Sequence, residues 1–329
     1  MHAHLAAPGP VGDAPERYLG HGILAVRDMG GDAASLFALR RSIEQGSRRG
    51  PFLYLAGPTL NGESSGSWHL AVPTAEQARI AVVQLRAQGV DFIKIHRAMT
   101  REGFGAVIRE ARQQKLTVAG HVPLAMSFIE ASASGMKTVE HVQTLLENEI
   151  SAGLPAAASA DAAMTRLAGA RASAIFATLA KNGTYFCPTL VGYEVSWEGN
   201  APARKAAKQA LYARMVPLVM RAAGAGVPIL AGTDVLSRHG DMLLVELERL
   251  VSAGLTPKAA LAAATSVPHR LTGRGPGVVA KGREASFLLV VGDPLQDIGN
   301  LRRLSAIVLR GELIGSDQLA QWRGAAVRE

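Results

Sequence analysis

Short apolar runs separated by amphipathic stretches set the strongest limit on what this chain can fold into. Runs at 22–29, 52–57, 92–95, 117–121, 137–141, 184–189 and 227–233 read as strands. Helical patterns lie between and after them, at 74–88, 103–114, 125–134, 171–181, 205–224, 242–253 and 257–264. Thr74-Ala75-Glu76-Gln77 is a capping-box signal, and Thr256-Pro257 places a cap before a proline at the first helical position. Strand–helix alternation of this length implies an α/β fold with a parallel sheet. A strand ending at His4 would bring the strands to eight, the number in a (β/α)8 barrel.

After Gly273 the texture changes. Val278-Val279 and the runs 287–291 and 307–309 are short β segments split by Gly and Pro. The expected layout is therefore a TIM barrel over 1–272, with a truncated first strand, and a remnant of a small β-sandwich over 273–329. The Ala- and Ser-rich stretch 145–164 is expected to be a surface excursion.

Composition narrows the function. With 329 residues, 48% hydrophobic, the chain is an ordinary globular one, and no apolar run approaches the ~18 residues of a membrane span. Cys187 is the only cysteine, which excludes an internal disulfide or a cysteine-based metal cluster. The net charge of +8 comes from scattered basic residues without interleaved aromatics, a solvated surface and not a nucleic-acid patch. The expected partner is a small-molecule substrate, and a homo-oligomer is compatible with the chain. Cytoplasmic residence is the reading of the sequence as it stands; a lost signal peptide would alter it.

Residues with metal chemistry sit where strands end, which is where barrel active sites form. His2 and His4 share a strand face at a spacing of two. Lys94 alternates with Ile93 and Ile95, so it points inward if they pack under helices. His121 and His141 close the next two strands, and Gly232-Thr233-Asp234 closes the last. Singly, each suits a structural role: a hydrogen-bonded histidine, a rim lysine, a loop turn. As an ordered set they point to a divalent metal centre. Neutral imidazoles bind zinc-like ions, whereas a lysine ammonium does not. A buried, deprotonated lysine adds carbon dioxide to give a carbamate whose two oxygens can bridge two metals. Asp234 can then bind metal and carry a proton from water to the leaving group.

These motifs resemble the amidohydrolase superfamily of metal-dependent hydrolases, in the branch related to imidazolonepropionase and prolidase-type dipeptidases. The likeness runs through Met1-His2-Ala3-His4-Leu5, Val26-Arg27-Asp28-Met29-Gly30-Gly31, Ala56-Gly57-Pro58, Asp91-Phe92-Ile93-Lys94-Ile95, Gly120-His121-Val122-Pro123, Val139-Glu140-His141, Gly232-Thr233-Asp234 and Gly292-Asp293-Pro294-Leu295. The resemblance implies that His2, His4 and Asp234 hold a buried metal and that His121 and His141 hold an outer one. It also implies that carboxylated Lys94 bridges the two, with Zn2+ the usual ion.

The chain departs from the family in three places. Relatives carry several tens of residues before the His-x-His motif. That leads us to expect a misplaced start, with Met1 internal to an Asp-Met-His-Ala-His-Leu run and a barrel that does not close fully. The segment after Pro58 is not the Gly-Gly-His-Gly loop of some relatives, and Ala285-Ser286 stands where Ala-Asp is usual.

Substrate contacts are expected from Arg27, His96, Trp68, Tyr193 and His239, each with a structural alternative. For Arg27 the alternative is an ion pair at the barrel mouth, and for Trp68 a packed surface loop. The resemblance implies hydrolysis of a C–N bond in an amide, cyclic amide or dipeptide. The same centre would serve ester, carbamate or phosphotriester hydrolysis, and a truncated, inactive fragment is the rival outside enzymes.

Overall fold

The computed structural model describes residues 1–6, 9–63, 66, 68–153, 159–236 and 239–324, the side chains of 152 and 153 excepted. Its parallel strands run β1 (Ala25–Asp28), β2 (Phe52–Leu55), β3 (Thr59–Asn61), β4 (His69–Ala71), β5 (Phe92–Ile95), β6 (Thr117–Gly120), β7 (Thr138–Glu140) and β8 (Tyr185–Cys187). β1 pairs with β2, and the others form a sheet in the order β4-β3-β5-β6-β7-β8. Asp91 N–H donates to Leu55 O at 2.8 Å, joining β2 to the start of β5.

Residues 1–4 take the first barrel position. As expected, the first strand is minimal, a single bridge from Ala3 to Asp28. The expected gap beside it is absent among the described residues. Met29 N–H donates to Ala3 O at 2.8 Å on one side, and Thr233 N–H donates to His2 O at 3.0 Å on the other. The eighth position, expected as a strand over 227–233, is a bridge from Ile229 to Phe186.

Helices pack outside the ring. Ala75–Gln88 begins with the expected capping box, Thr74 and Gln77 exchanging bonds, and ends on left-handed Gly89. One expectation is corrected and one helix was missed. The stretch 145–164 is not an excursion: helices Gln143–Gly153 and Ala160–Ala168 occupy it and bury Leu145, Leu146, Ala163 and Met164. Helix Ala33–Glu44, capped by Asp32, escapes the sequence pattern although it buries Leu36, Leu39 and Ile43. Past the barrel, β9 (Phe287–Val290), β10 (Leu304–Leu309) and β11 (Glu312–Gly315) form an antiparallel sheet. Val278 and Val279 lie outside it and are exposed. A largely apolar cleft of about 360 Å³ separates this sheet from the barrel base, lined by Ile23, Leu24, Leu247, Phe287, Leu288 and Val290 among others.

Two buried carboxylates hold the barrel together. Glu140 accepts from Arg27 Nη2 at 2.8 Å and pairs with His2 Nδ1 at 2.9 Å. Burial opposes its charge, but the Arg27 cation and the His2 bond outweigh that and keep it well below the usual carboxylate range. Arg27 also donates from Nε to Met1 O at 2.6 Å and from Nη1 to Thr138 Oγ1 at 3.1 Å. One guanidinium thus ties the first, second and sixth barrel positions together. Glu246, on helix Asp241–Ser252, accepts from the N–H groups of Leu190 at 3.1 Å and Val191 at 2.8 Å, anchoring the short helix Leu190–Val195.

Removing one member of a buried pair strands the other charge. Glu140→Ala should therefore lower the free energy of unfolding in urea by ~3–5 kcal/mol. Arg27→Met combined with Glu140→Leu should cost less than the two single changes added; strict additivity would mean the pair is not coupled. Burial raises the Glu246 carboxyl from 4.5 to about 7. Between those values the folded state holds a proton that the unfolded state has lost, so stability falls as pH rises across the window and levels off above it. The expected fall is on the order of 3 kcal/mol. Glu246→Gln should flatten that part of the stability–pH curve, and an unchanged slope would place the titrating group elsewhere.

Candidate metal centre

The site forms at the strand ends because the backbone breaks its own alternation there. In a strand, neighbouring side chains point to opposite faces, so Glu140 and His141 would diverge. His141 adopts φ 69°, Thr189 φ 49° and Asp234 φ 54°, all in the left-handed region. Such strain in residues other than glycine concentrates at functional sites. Here it sets His141 directly after Glu140 with both side chains buried, and His141 Nδ1 lies 2.9 Å from Thr189 Oγ1.

Glycine makes the room. A Cβ on Gly120, whose φ is +130°, would lie 2.9 Å from Lys94 Cδ and 2.2 Å from Ile95 O. A Cβ on Gly232 would lie 2.6 Å from His2 Cβ. The strand end can pass beside His2, and Lys94 can lie across β6, only where these side chains are missing.

The imidazoles form a continuous file. Ring centroids are 5.4 Å apart for His4 and His2, 4.6 Å for His2 and His141, and 4.4 Å for His141 and His121. The file continues through His96 at 4.3 Å from His121 and His69 at 4.9 Å from His96. Asp234 faces one end: Oδ1 is 3.1 Å from His2 Nε2 and 3.2 Å from His4 Nε2, and Oδ2 is 3.5 Å from His141 Nδ1. Donor atoms of His2, His4 and Asp234 lie within 4.8 Å of one another, a spacing that fits one metal ion. His2, Glu140 and Cys187 meet the same distance, but Glu140 is already engaged by Arg27 and His2.

The ring nitrogens divide into two sets. His2 Nδ1 is held by Glu140, His4 Nδ1 lies 2.7 Å from Gly30 O, and His141 Nδ1 meets Thr189. His2 Nε2, His141 Nε2 and His121 Nδ1 are buried without a hydrogen bond among the described residues. Buried nitrogens rarely stay orphaned, and an outer partner on the other ring nitrogen is the usual arrangement of a metal-binding histidine. The residues present thus fit a divalent ion.

Electrostatics favours the ligand forms. Burial, with Lys94 and neighbouring histidines, holds His121 well below its ordinary value, and burial brings His141 to about 3 against the attraction of Asp234. His2 is lowered, first by burial and then by Lys94. His4 moves the other way: burial is overcome by its bond and charge contact with Asp234. Burial also opposes the charge of Asp234, but His2 and His141 outweigh it and hold the carboxyl well below the usual range. Lys94 is 2% exposed, and burial lowers its amine to about 8.

The remaining expected residues scatter. His96 joins the file; Arg27 lies among Met1, Thr138 and Glu140 with its donors engaged. Trp68 is reached through His69 at 5.6 Å, and His69 begins β4, so the segment after Pro58 carries two short strands where a loop was expected. Of that segment, Ser64, Ser65 and Ser67 lie outside the described residues. Tyr193 stacks on Tyr212 at 6.0 Å, and His239 Nδ1 sits 3.2 Å from Tyr18 OH. Glu140 and Thr189 were not singled out from sequence, whereas His69 was read, with Trp68, as part of a lid loop. For Glu140 the available signal was a carboxylate beside a strand-end histidine.

Comparison with known proteins bears on the family and the fold. The model of the amidohydrolase family matches residues 15–314. An uncharacterized protein of Mycobacterium tuberculosis is 35% identical over 146 residues, covering 42% of this chain and only 39% of the relative. Its Mycobacterium bovis counterpart matches to the same extent. A prolidase solved with N-methylphosphonate-L-proline superposes with a TM-score of 0.75 at 20% identity, over 95% of this chain and 85% of its own. A Xaa-Pro dipeptidase with bound methionine gives 0.74 at 21%, over 96% and 85%. Bottromycin amidohydrolase gives 0.77 at 20%, over 98% and 77%. These structures share the fold, and the match over 15–314 establishes that the chain belongs to the amidohydrolase family.

Proposed function

We propose that this protein is a metal-dependent hydrolase that cleaves the C–N bond of an amide, cyclic amide or dipeptide. The observation that carries the reading is the pair of buried ring nitrogens without a hydrogen bond on His141 and His121, beside an Asp234 carboxylate that faces His2 Nε2 and His4 Nε2 at 3.1 and 3.2 Å. His2, His4 and Asp234 would hold one ion and His121 and His141 a second, with zinc suited to this nitrogen and oxygen set. Divalent ions bound there would polarise the scissile carbonyl and acidify a water molecule.

The chain's own groups supply the rest. Burial depresses Lys94 Nζ to about 8, which raises the fraction of neutral amine that reaction with carbon dioxide requires. The new N–C bond and the loss of one amine proton leave a carbamate with two oxygens for the ions. Asp234, whose carboxyl lies well below the usual range, would accept a proton from the attacking water and return it to the leaving nitrogen. Glu140 and Gly30 O fix the rings of His2 and His4, and Thr189 fixes that of His141, so the ligands are set before substrate arrives. His96, His69 and Trp68 would wall the substrate side of the file. The prolidase and dipeptidase neighbours make Xaa-Pro dipeptides the first substrates to test.

Protein prepared with zinc and bicarbonate should retain about two zinc ions per chain by elemental analysis, and Lys94→Ala should retain fewer. Asp234→Asn should lower kcat on whichever dipeptide or amide the parent cleaves by roughly 10²–10⁴-fold. A parent that binds no metal would overturn the reading. A metal-loaded parent that cleaves esters or phosphotriesters but no amide would keep the centre and reassign the bond.

A further inference from the structure

A second cavity, of about 330 Å³, lies at the start of β2, away from the histidines that gather at the strand ends. Its lining includes Arg40, Glu44, Phe52, Tyr54, Arg274 and Arg310. Asp91 serves two of the three guanidinium groups. Its Oδ2 accepts from Arg40 Nη1 at 3.2 Å and from Leu55 N–H at 2.8 Å, and its Oδ1 pairs with Arg274. Arg40 also donates to Gly89 O at 3.0 Å.

Arg310 has no such carboxylate within 4.0 Å among the described residues. Its guanidinium carbon lies 4.1 Å from the Phe52 ring centre, and its one hydrogen bond is from Nη1 to Gly50 O at 3.3 Å. Nearby Glu312 is taken by Arg49. Glu284, Glu44 and Arg49 act on Arg310 only at longer range. With Asp91 and Glu44 counted against three arginines, the cavity keeps one positive charge in excess.

The backbone adds an independent observation. Arg310 and Gly311 form the two-residue turn between β10 and β11, with φ 52° and 86°. A turn with both φ values positive favours Asn, Asp or Gly at its first central position. Arginine there is strained, and strain of this kind points to a use for the side chain.

We propose that this cavity is a binding site for a compact oxyanion, phosphate or polycarboxylate, held by Arg310 together with Arg40 and Arg274. Guanidinium forks match such oxygens in pairs. The ligand is compact because the aromatic faces are already covered: Arg310 lies over Phe52, and Arg274 lies 5.0 Å from the Tyr54 ring centre. Each of these guanidinium groups occupies a ring face that a nucleobase would otherwise use for stacking.

The test is calorimetric titration and thermal unfolding of the zinc-loaded full chain with inorganic phosphate, citrate or AMP, against chloride at equal ionic strength. Phosphate or citrate at tenfold its Kd should raise Tm by about 2–4 °C. Affinity should fall at least tenfold in Arg310→Gln and in Arg274→Gln, and stay unchanged in Arg204→Gln, an exposed arginine on helix Pro202–Gly224. Equal responses to phosphate and citrate would identify the shared oxyanion chemistry, and a response to one alone would name the source. Three results would overturn the proposal. One is no response beyond chloride. Another is phosphate binding that survives both substitutions, which would place the anion at the histidine centre. The third is an Arg310→Gln protein with lower Tm and unchanged affinity, which would make Arg310 a hairpin anchor only.

Discussion

The contact on which this structure most depends is the buried chain from Arg27 through Glu140 to His2. It lies inside the barrel, where no water offsets an unpaired charge, so each member requires the others. Arg27 comes from the second barrel position, Glu140 from the sixth and His2 from the first. The first position is a single β-bridge, too short to fix its own register by ladder bonds. The charges supply what the ladder lacks. Arg27 Nε holds Met1 O, Glu140 holds His2 Nδ1, and Asp28 Oδ2 takes Leu5 N–H at 2.6 Å. Side-chain electrostatics therefore aims the His-x-His pair, and the same bond turns His2 Nε2 toward Asp234.

Much of this was legible in the sequence because the period of two is a hard constraint. His2 with His4 and Lys94 between Ile93 and Ile95 follow directly from strand alternation, and His121 and Asp234 follow from strand ends. What stayed hidden depends on exceptions to that period. Consecutive Glu140 and His141 share the interior only because His141 turns left-handed. Thr189, also left-handed, carries no sequence signal for that conformation. Helix Ala33–Glu44 was missed although Leu36, Leu39 and Ile43 recur at helical spacing behind the Asp32 cap, because small and polar residues dilute that face. The segment 145–164 hides its helices for a related reason: small residues such as Ala163 pack closely without producing an apolar stripe.

Substrate-side residues were the least legible, and β3 and β4 explain why. The chain leaves β2 through left-handed Gly57 and forms two extra short strands, Thr59–Asn61 and His69–Ala71, paired in parallel. This places His69 against His96 and so extends the imidazole file by a residue far away in sequence. Nothing in the spacing of the Gly- and Ser-rich run announces a strand, because its pairing is tertiary and its residues have weak β propensity.

The same file would couple metal binding to folding on the proposed reading. Leaving a buried polar atom without a partner costs about 1–3 kcal/mol, and four ring nitrogens of the file, on His2, His96, His121 and His141, lack a hydrogen bond among the described residues. Two of the rings cannot turn away, since Glu140 and Thr189 hold the opposite nitrogens of His2 and His141. Nor does protonation relieve them near neutral pH, because burial and the Lys94 ammonium oppose added positive charge on His2, His121 and His141. On the proposed reading, a divalent ion would satisfy these nitrogens, and carboxylation of Lys94 would remove the cation that opposes it. Occupancy of the centre and stability of the strand ends around it would then be one linked equilibrium.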